Sequence, residues 1–488
     1  MRHYISSIIA TLFLAVSCQG FLDMQPTNAG NAETAIQTPR DARTAINGVL
    51  RKMSSSSYYG RNFIIYGDAK GGDLTIYSQG RGLDYYYSFN HSATSGSGSG
   101  FWINGYSCIM NLNSLIENII ELKKESGATS FDQYLGEAYT LRAMIYFDLV
   151  RLYGMPYNYD KNSLGVPKVD KPIDATAQPT RASVADIYSL ITDDLSKGEA
   201  LLPVKKAENG YPGYYANKAL QAKVFLYMEN YTEALKAARE VIGSEVYKLY
   251  EPEDWVASWS SKGGSESIFE IGIDSESDLG TSSLGFYYLA YHRLSDAQGW
   301  FLASNYFLNL LGEDKTDVRW GVMDADEYAQ NNEGVTHNGA CTKYLGGPSL
   351  KGDGKNTATA VNIKVMRLSE VYLIAAEAAL GTDKKEAADY LNAIRRRAPA
   401  LAPRTATDIT LDDIINERRK EFFGEGDRFF DLIRCNRTIE YNDDLTDVPI
   451  TQRGKTVDRT YGKIVLPIDQ DELNANPAIR DQQNPAYK

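Results

Sequence analysis

Cys18 is the residue whose surroundings most clearly predict a chemical modification. A short basic start precedes a largely apolar run over residues 5–16, and small or apolar side chains lie just before the thiol. This order is typical of a cleaved secretory signal, and the run is too short to span a bilayer as a mature helix. The cysteine stands where a lipobox has its acylated residue, although Ala15 replaces the usual leucine. The alternative is an ordinary signal with an incidental cysteine.

Two long segments rich in Tyr, Trp, Gly and Ser are candidates for ligand recognition. They cover residues 54–100 and 254–348 and are too long to be simple connections between helices. The chain has 34 Tyr but 16 Phe, and a Tyr ring combines an apolar face with a hydroxyl that tolerates water. Such rings can stack on the C–H faces of a sugar. Alternatively, they pack the loops onto the helices.

Motifs for catalysis or metal binding are not found. The histidines beyond His3 do not have the spacing of a metal site, and G-x-S-x-G, P-loop and Rossmann fingerprints are absent. Asp324-Ala-Asp326 begins like a calcium loop, but Tyr328 and Ala329 replace an oxygen ligand and the glycine, so we predict a solvated acidic turn. Carboxylate pairs for glycoside hydrolysis remain open, because 63 acidic residues offer many pairs and nothing selects one.

Charge and cysteine content narrow the class of protein further. A net charge of −12 argues against nucleic acid or anionic lipid as the main partner. Cys108, Cys341 and Cys435 lie far apart without a C-x-x-C pair, which favours free buried thiols over zinc or disulfides. No second apolar stretch approaches membrane-spanning length.

Hydrophobic periodicity predicts a mostly helical body. Apolar residues recur at one-face spacing in several segments that end at Gly or Pro or begin at a capping residue. These segments are 108–120 with an end near Gly127, 135–149 closed by Gly154, Ser183 to before Pro203, 217–228, 232–242, 367–380, 384–397, and Thr410 to about Phe423.

Small residues suggest how two of the helical pairs pack. Ala222 and Ala234 are twelve positions apart, and so are Ala375 and Ala387. Small side chains at this spacing let two helices cross closely, as in tetratricopeptide units of about 34 residues. Ordinary helical hairpins are the alternative, and long intervening segments exclude a plain solenoid.

Several motifs in order resemble one family. Arg367-Leu-Ser-Glu-Val-Tyr-Leu-Ile-Ala-Ala-Glu-Ala378 and the segment Asn416–Arg434 are similar to signature helices of the SusD/RagB family of Bacteroidetes surface lipoproteins. The tail from Ile464 to Tyr487, the start Cys18-Gln-Gly-Phe-Leu-Asp23 and the helix from Glu137 to Gly154 also match. The resemblance covers essentially the whole chain.

The charged residues of the second motif also have a physical interpretation. Arginine forks bind carboxylates and free helix carbonyls, so we predict a structural cluster that holds this turn against the repeats. Phe422, Phe423, Phe429 and Phe430 would supply its apolar contacts. The charged members are Glu417, Arg418, Arg419, Glu421, Glu425, Asp427, Arg428, Asp431 and Arg434.

The resemblance implies a mainly α fold. It would contain a TPR-like scaffold of about four helical pairs, with a loop-rich, irregular subdomain packed on it. The expected parts are a lipoprotein signal peptide at 1–17, a lipidated tether at 18–35, an N-terminal SusD-like region at 36–250 and a C-terminal SusD/RagB region at 251–488.

The resemblance also implies a role without catalysis or cofactors. Family members capture an oligomeric nutrient, usually an oligosaccharide, and deliver it to a SusC-like TonB-dependent transporter. The repeats would face the transporter and the irregular segments the ligand. The chain would be lipid-anchored at the surface of the outer membrane. A peptide-binding (RagB-like) member and, less favoured, a surface glycoside hydrolase are the alternatives.

The ligand site is predicted around Trp102, just after the first aromatic segment, because resembling proteins carry stacking rings at that place. The second aromatic segment would supply the opposite wall. We expect these rings to face solvent. The predicted ligand-binding residues are Asp73, Arg81, Tyr85, Tyr86, Tyr87, Trp102, Asn104, Tyr287, Tyr288, Trp300 and Trp320.

Overall fold

A computed structural model describes residues 36–76, 82–96, 98–273, 278–288, 300–330, 336–345, 360–443 and 450–488. Cys18, the signal peptide, the tether and Arg81 lie outside these residues. Most of the described chain is helical, as predicted. The helices are α1 Pro39–Met53, α2 Asn62–Ala69, α3 Asp84–Ser88, α4 Ser99–Ser126, α5 Asp132–Tyr153, α6 Tyr157–Asp160, α7 Val184–Leu201, α8 Tyr214–Tyr227, α9 Tyr231–Gly243, α10 Pro252–Ser258, α11 Leu284–Tyr288, α12 Asn305–Leu311, α13 Leu368–Ala379, α14 Lys384–Arg395, α15 Leu411–Glu421, α16 Arg428–Arg434 and α17 Gln470–Ala475.

The periodic segments form helices with the predicted ends. Helix α4 ends before Gly127, whose φ of +66° suits a residue without a side chain. The Ser183 side chain accepts a hydrogen bond from the Asp186 amide at the start of α7. Thr410 forms a capping box with Asp413 at the start of α15.

Neighbouring helices in this series pack against one another. Helix α1 contacts α4, and contacts then continue from α4 through α5, α7, α8, α9 and α13 to α14. Ala222, Ala234, Ala375 and Ala387 are fully buried, which fits close helix crossings in the α8–α9 and α13–α14 pairs. The tetratricopeptide geometry itself stays a prediction.

Short antiparallel strand pairs accompany the helices in the described chain, and two of the pairs join parts that are far apart in sequence. The strands are β1 Leu74–Ile76, β2 Leu164–Pro167, β3 Arg181–Ser183, β4 Ser267–Ile271, β5 Phe301–Ala303, β6 Met323–Gln330, β7 Thr336–Cys341, β8 Ile363–Arg367, β9 Ile439–Glu440 and β10 Thr456–Val457. The pairs are β1–β5, β2–β3, β4–β8, β6–β7 and β9–β10. Asp324 and Asp326 lie within β6 and pair with Ala340 and His337 of β7. The prediction of an acidic turn is therefore wrong, because cross-strand pairing extends this segment.

The charged C-terminal cluster is structural, as predicted. Arg418 bonds Asp431 at 2.7 Å, and Arg434 bonds Glu377 of α13. Arg367 donates to Glu421 at 2.9 Å and also reaches the Glu421 carbonyl. Burial by itself raises the pKa of Glu421, but Arg397 and Arg367 outweigh it and hold the pKa well below its usual range.

The predicted apolar partners and thiols are also found in the interior. Phe422, Phe423, Phe429 and Phe430 are buried, and Phe423 stacks on Phe307 with ring centres 4.0 Å apart. Cys108, Cys341 and Cys435 are free; the first two are buried and Cys435 is half-buried.

Candidate functional site

The structure divides the predicted ligand-binding rings into a buried group and a half-exposed group. Trp102 is 5% exposed, and Tyr86, Tyr87 and Tyr288 are at most 1% exposed. Tyr85, Tyr287, Trp300 and Trp320 are half-buried. The expectation that the whole set faces solvent is therefore wrong, because long-range packing covers half of it.

The buried rings make contacts that hold the fold together. Trp102 packs against Tyr106 and Tyr153, each with ring centres 5.0 Å away. The Tyr87 hydroxyl donates to Asp443 at 2.5 Å, and the Tyr288 hydroxyl donates to Asp68 at 2.8 Å. These geometries account for the rings without a ligand.

The polar members of the predicted site also have partners within the protein. Asp73 is 2% exposed and binds Arg419 at 2.5 Å and Arg428 at 3.2 Å. The Asn104 amide donates to the Ser57 hydroxyl and the Gly100 carbonyl. Asp73 is therefore part of a buried ion-pair group rather than a free binder of sugar hydroxyls.

Trp320 lies apart from the other half-exposed rings in its contacts. Its indole N–H donates to the Asp314 carbonyl at 3.2 Å, and the ring lies near Gly312. The structure does not join it to the rings around residues 85 and 300.

Three predicted rings do come together, with one residue that sequence reasoning missed. Tyr287 and Trp300 pack edge to face with centres 5.0 Å apart. The Arg61 guanidinium lies 4.4 Å from the centre of the Tyr287 ring. Tyr85 follows three residues after Gly82, which lies beside the Trp300 ring, and Arg61 and Tyr287 act electrostatically on its phenol. We call Arg61, Tyr85, Tyr287 and Trp300 the ring cluster.

Backbone geometry brings the ring cluster together from both aromatic segments. The β1–β5 pairing, in which Ile76 faces Phe301, brings the start of β5 to the end of β1, and the Trp300 ring lies near Gly82. Gly82 has φ +80° and Leu83 has φ +54°, so the chain turns sharply before α3 and Tyr85. Gly96 lies against the Tyr85 ring, where a Cβ would come within 2.9 Å of a ring carbon. These features hold the rings at one place.

The ring cluster suits stacking rather than proton transfer. Burial is the main cause that raises the pKa of Tyr85, so its phenol stays neutral at physiological pH. Half-exposed rings offer faces for apolar C–H groups. Arg61 was missed because a single arginine ahead of an apolar run forms no recognisable pattern.

The described residues contain neither a metal-binding group nor a membrane-spanning helix. Across those ranges, no set of three or more His, Cys, Asp or Glu side chains is placed to hold a metal ion. No helix within the same ranges is long and apolar enough to cross a membrane.

The fold and the ring cluster together define a helical scaffold that presents aromatic side chains from irregular segments. Comparison with known proteins identifies the family. The model described as "SusD family" matches residues 288–487, and the one described as "Starch-binding associating with outer membrane" matches residues 20–226.

Similar proteins cover nearly the whole chain. A SusD superfamily structure from Bacteroides thetaiotaomicron is 34% identical, with a TM-score of 0.83, and the match covers 92% of this chain and 100% of that one. A putative sugar binding protein from Bacteroides vulgatus is 30% identical, with a TM-score of 0.81, over 93% of this chain and 100% of that one. The SusD-like protein P38 of Formosa agariphila is 25% identical over 98% of each chain.

The chain therefore belongs to the SusD family. Members of this family are carbohydrate-binding proteins associated with the outer membrane, and they are not enzymes. The prediction of a non-catalytic binding protein is confirmed at this level.

Proposed function

We propose that this protein is a lipid-anchored, surface-exposed receptor that captures an oligosaccharide at the ring cluster and delivers it to a SusC-like TonB-dependent transporter. The observation that carries the ligand site is the half-exposed group of Tyr85, Tyr287 and Trp300, which two distant segments bring together. A structurally similar SusD-like protein, 22% identical with a TM-score of 0.73, is described as laminarin binding. This supports an oligosaccharide as the ligand class.

The physical basis of capture is stacking at modest affinity. Stacking of a nucleic-acid base on an exposed aromatic ring contributes about 1–3 kcal/mol, and by analogy we expect a similar contribution from the C–H face of a sugar. A few such contacts are enough at a membrane surface, because a receptor next to the transporter raises the effective ligand concentration there.

Calorimetry with single-ring variants tests the ligand site. We expect Trp300→Ala and Tyr287→Ala to weaken oligosaccharide binding by about 1–3 kcal/mol each, with little change in melting temperature. Tyr231→Ala is the matched control, because Tyr231 is 41% exposed on α9 outside the ring cluster.

The ligand panel contains laminari-oligosaccharides, other oligosaccharides and extended peptides. Equally strong binding in both variants would contradict this ligand site. Binding of peptides alone would favour the peptide-binding alternative. Shortened oligosaccharide products would indicate a hydrolase.

Purification in mild detergent tests the transporter partner. We expect the native lipoprotein to co-purify with a large outer-membrane transporter, and substitutions on exposed surfaces of the helical pairs to weaken this association more than Trp300→Ala does. Recovery as a lone monomer, under conditions where comparable complexes survive, would count against delivery to a transporter.

A further inference from the structure

Arg61 differs from most buried and half-buried arginines of the described chain because it has no carboxylate partner. Arg43 pairs with Glu137, Arg142 with Asp194, and Arg319 with Asp317 and Glu417. Arg61 is half-buried and forms no ion pair with any described residue. Among the described residues, this cation therefore has no carboxylate counter-charge.

The position of the Arg61 guanidinium is nevertheless well defined. Its Nε donates to the Asn62 side chain at 2.9 Å, and its Nη1 donates to the Ser282 carbonyl at 3.2 Å. The Tyr287 ring supports its face at 4.4 Å. An arginine has five N–H donors, and those of Nη2 bond to no described residue. Two carbonyl-type acceptors and a ring thus hold a cation whose Nη2 donors bond to nothing in the part of the chain that the structure describes.

We propose that Arg61 gives the ring cluster a preference for acidic glycans, by binding an anionic substituent while Trp300, Tyr287 or Tyr85 stacks on the sugar ring. This inference rests on the proposed function and adds the ligand class. The shared chemistry is an anionic oxygen group, either a uronate carboxylate or a sulfate ester.

The physical argument concerns both geometry and charge. A guanidinium binds an anionic oxygen group through parallel N–H donors, and contact with a ring fixes the plane of that fork before the ligand arrives. The net charge of −12 repels anions in general. An acidic ligand therefore needs a local cation that carboxylates of the protein do not already neutralise, and within the described ranges Arg61 meets this requirement.

Matched pairs of ligands test the preference directly on the detergent-solubilised full chain. The pairs are oligogalacturonate with its methyl ester, and sulfated with unsulfated laminari-oligosaccharide. We expect the acidic member of at least one pair to bind at least about tenfold more tightly than its neutral partner, with a preference that weakens as salt is added. The pair that shows the difference identifies carboxylate or sulfate as the group.

Variants assign the preference to Arg61. Arg61→Gln should abolish the difference within the pair by weakening the acidic member at least about tenfold more than the neutral member, and Arg61→Lys should retain part of the preference. Arg459→Gln is the matched control, because Arg459 lies over the Tyr159 ring at 4.9 Å outside the ring cluster. The Arg459→Gln variant should show the same preference for the acidic ligand as the wild-type protein.

The possible outcomes separate the two proposals. Neutral members that bind as tightly as acidic ones would overturn the preference and leave the proposed function intact. Equal loss of both members in Arg61→Gln, with a lowered melting temperature, would show that Arg61 only fastens the Ser282 loop, and would also overturn the preference. Failure of every saccharide to bind would overturn the proposed function as well.

Discussion

At the scale of single residues, three consecutive tyrosines have different roles. Tyr86 and Tyr87 are buried, whereas Tyr85 is half-buried and interacts electrostatically with Arg61 and Tyr287. Trp102 was expected to be a solvent-facing platform, but it is 5% exposed and lies between Tyr106 and Tyr153. Burial therefore favours packing for Trp102 and leaves ligand stacking to the ring cluster.

Replacement of Trp102 tests this assignment. Large-to-small substitution of a buried aromatic residue costs about 3–5 kcal/mol, so Trp102→Ala should lower the melting temperature and leave oligosaccharide affinity nearly unchanged in the folded fraction. Ile103→Ala is the control, because Ile103 is the next residue and is 63% exposed. Lost affinity at an unchanged melting temperature would return Trp102 to the ligand site.

At the scale of elements, tertiary pairing joins segments that are far apart in the chain. The β1–β5 pair connects the two aromatic segments. The C-terminal 3₁₀ turn Pro485–Tyr487 docks onto the N-terminal half, where the Tyr487 hydroxyl lies 2.8 Å from His91 Nδ1. The other ring nitrogen of His91 lies 3.3 Å from the buried Lys70 Nζ.

This contact predicts a dependence of stability on pH. Burial first, and then Lys70 and Lys463, hold the pKa of His91 well below 6.5. The unfolded chain therefore binds a proton that the folded chain rejects, so the free energy of unfolding should fall as pH falls below about 6.5, by up to about 1.4 kcal/mol per pH unit. Urea unfolding at pH 7.5 and 5.5 measures this change. His91→Gln, which keeps an acceptor toward Lys70 but does not titrate, should show a smaller decrease; an identical decrease in both proteins would contradict the assignment.

At the scale of the whole molecule, membership of the SusD family places the chain with carbohydrate-binding proteins associated with the outer membrane. The attachment itself is a prediction from Cys18. Each buried methylene of an acyl chain contributes about 0.8 kcal/mol, so several chains would make attachment stable.

Fractionation of cells that express Cys18→Ala tests the anchor. We expect the variant either to leave the membrane fraction or to keep an uncleaved signal, because neither acylation nor the linked cleavage can occur without the thiol. Wild-type protein washed at high salt is the control. A variant that is processed normally and remains equally membrane-bound would show that Cys18 is not lipidated.

The sequence by itself determined the helical scaffold and the family. Amphipathic periodicity and capping residues such as Ser183 and Thr410 act within a few residues, so the helix bounds could be predicted from local patterns. The early helices α1, α2 and α3 were not predicted. Helix α2 is buried almost throughout, so it carries no polar face to reveal its period.

Only the tertiary structure decided which side chains are available to a ligand. A tyrosine suits both a core and a wet surface, and its neighbours along the chain do not show which it occupies. The Tyr86 ring is covered by Tyr66 and Phe101, which come from other elements. The position of Arg61 over Tyr287 depends on contacts between segments more than 200 residues apart, such as Arg61 with Ser282. Local sequence cannot encode that proximity in a readable pattern, because it arises only when the β1–β5 pair and the packed helices bring the two segments together.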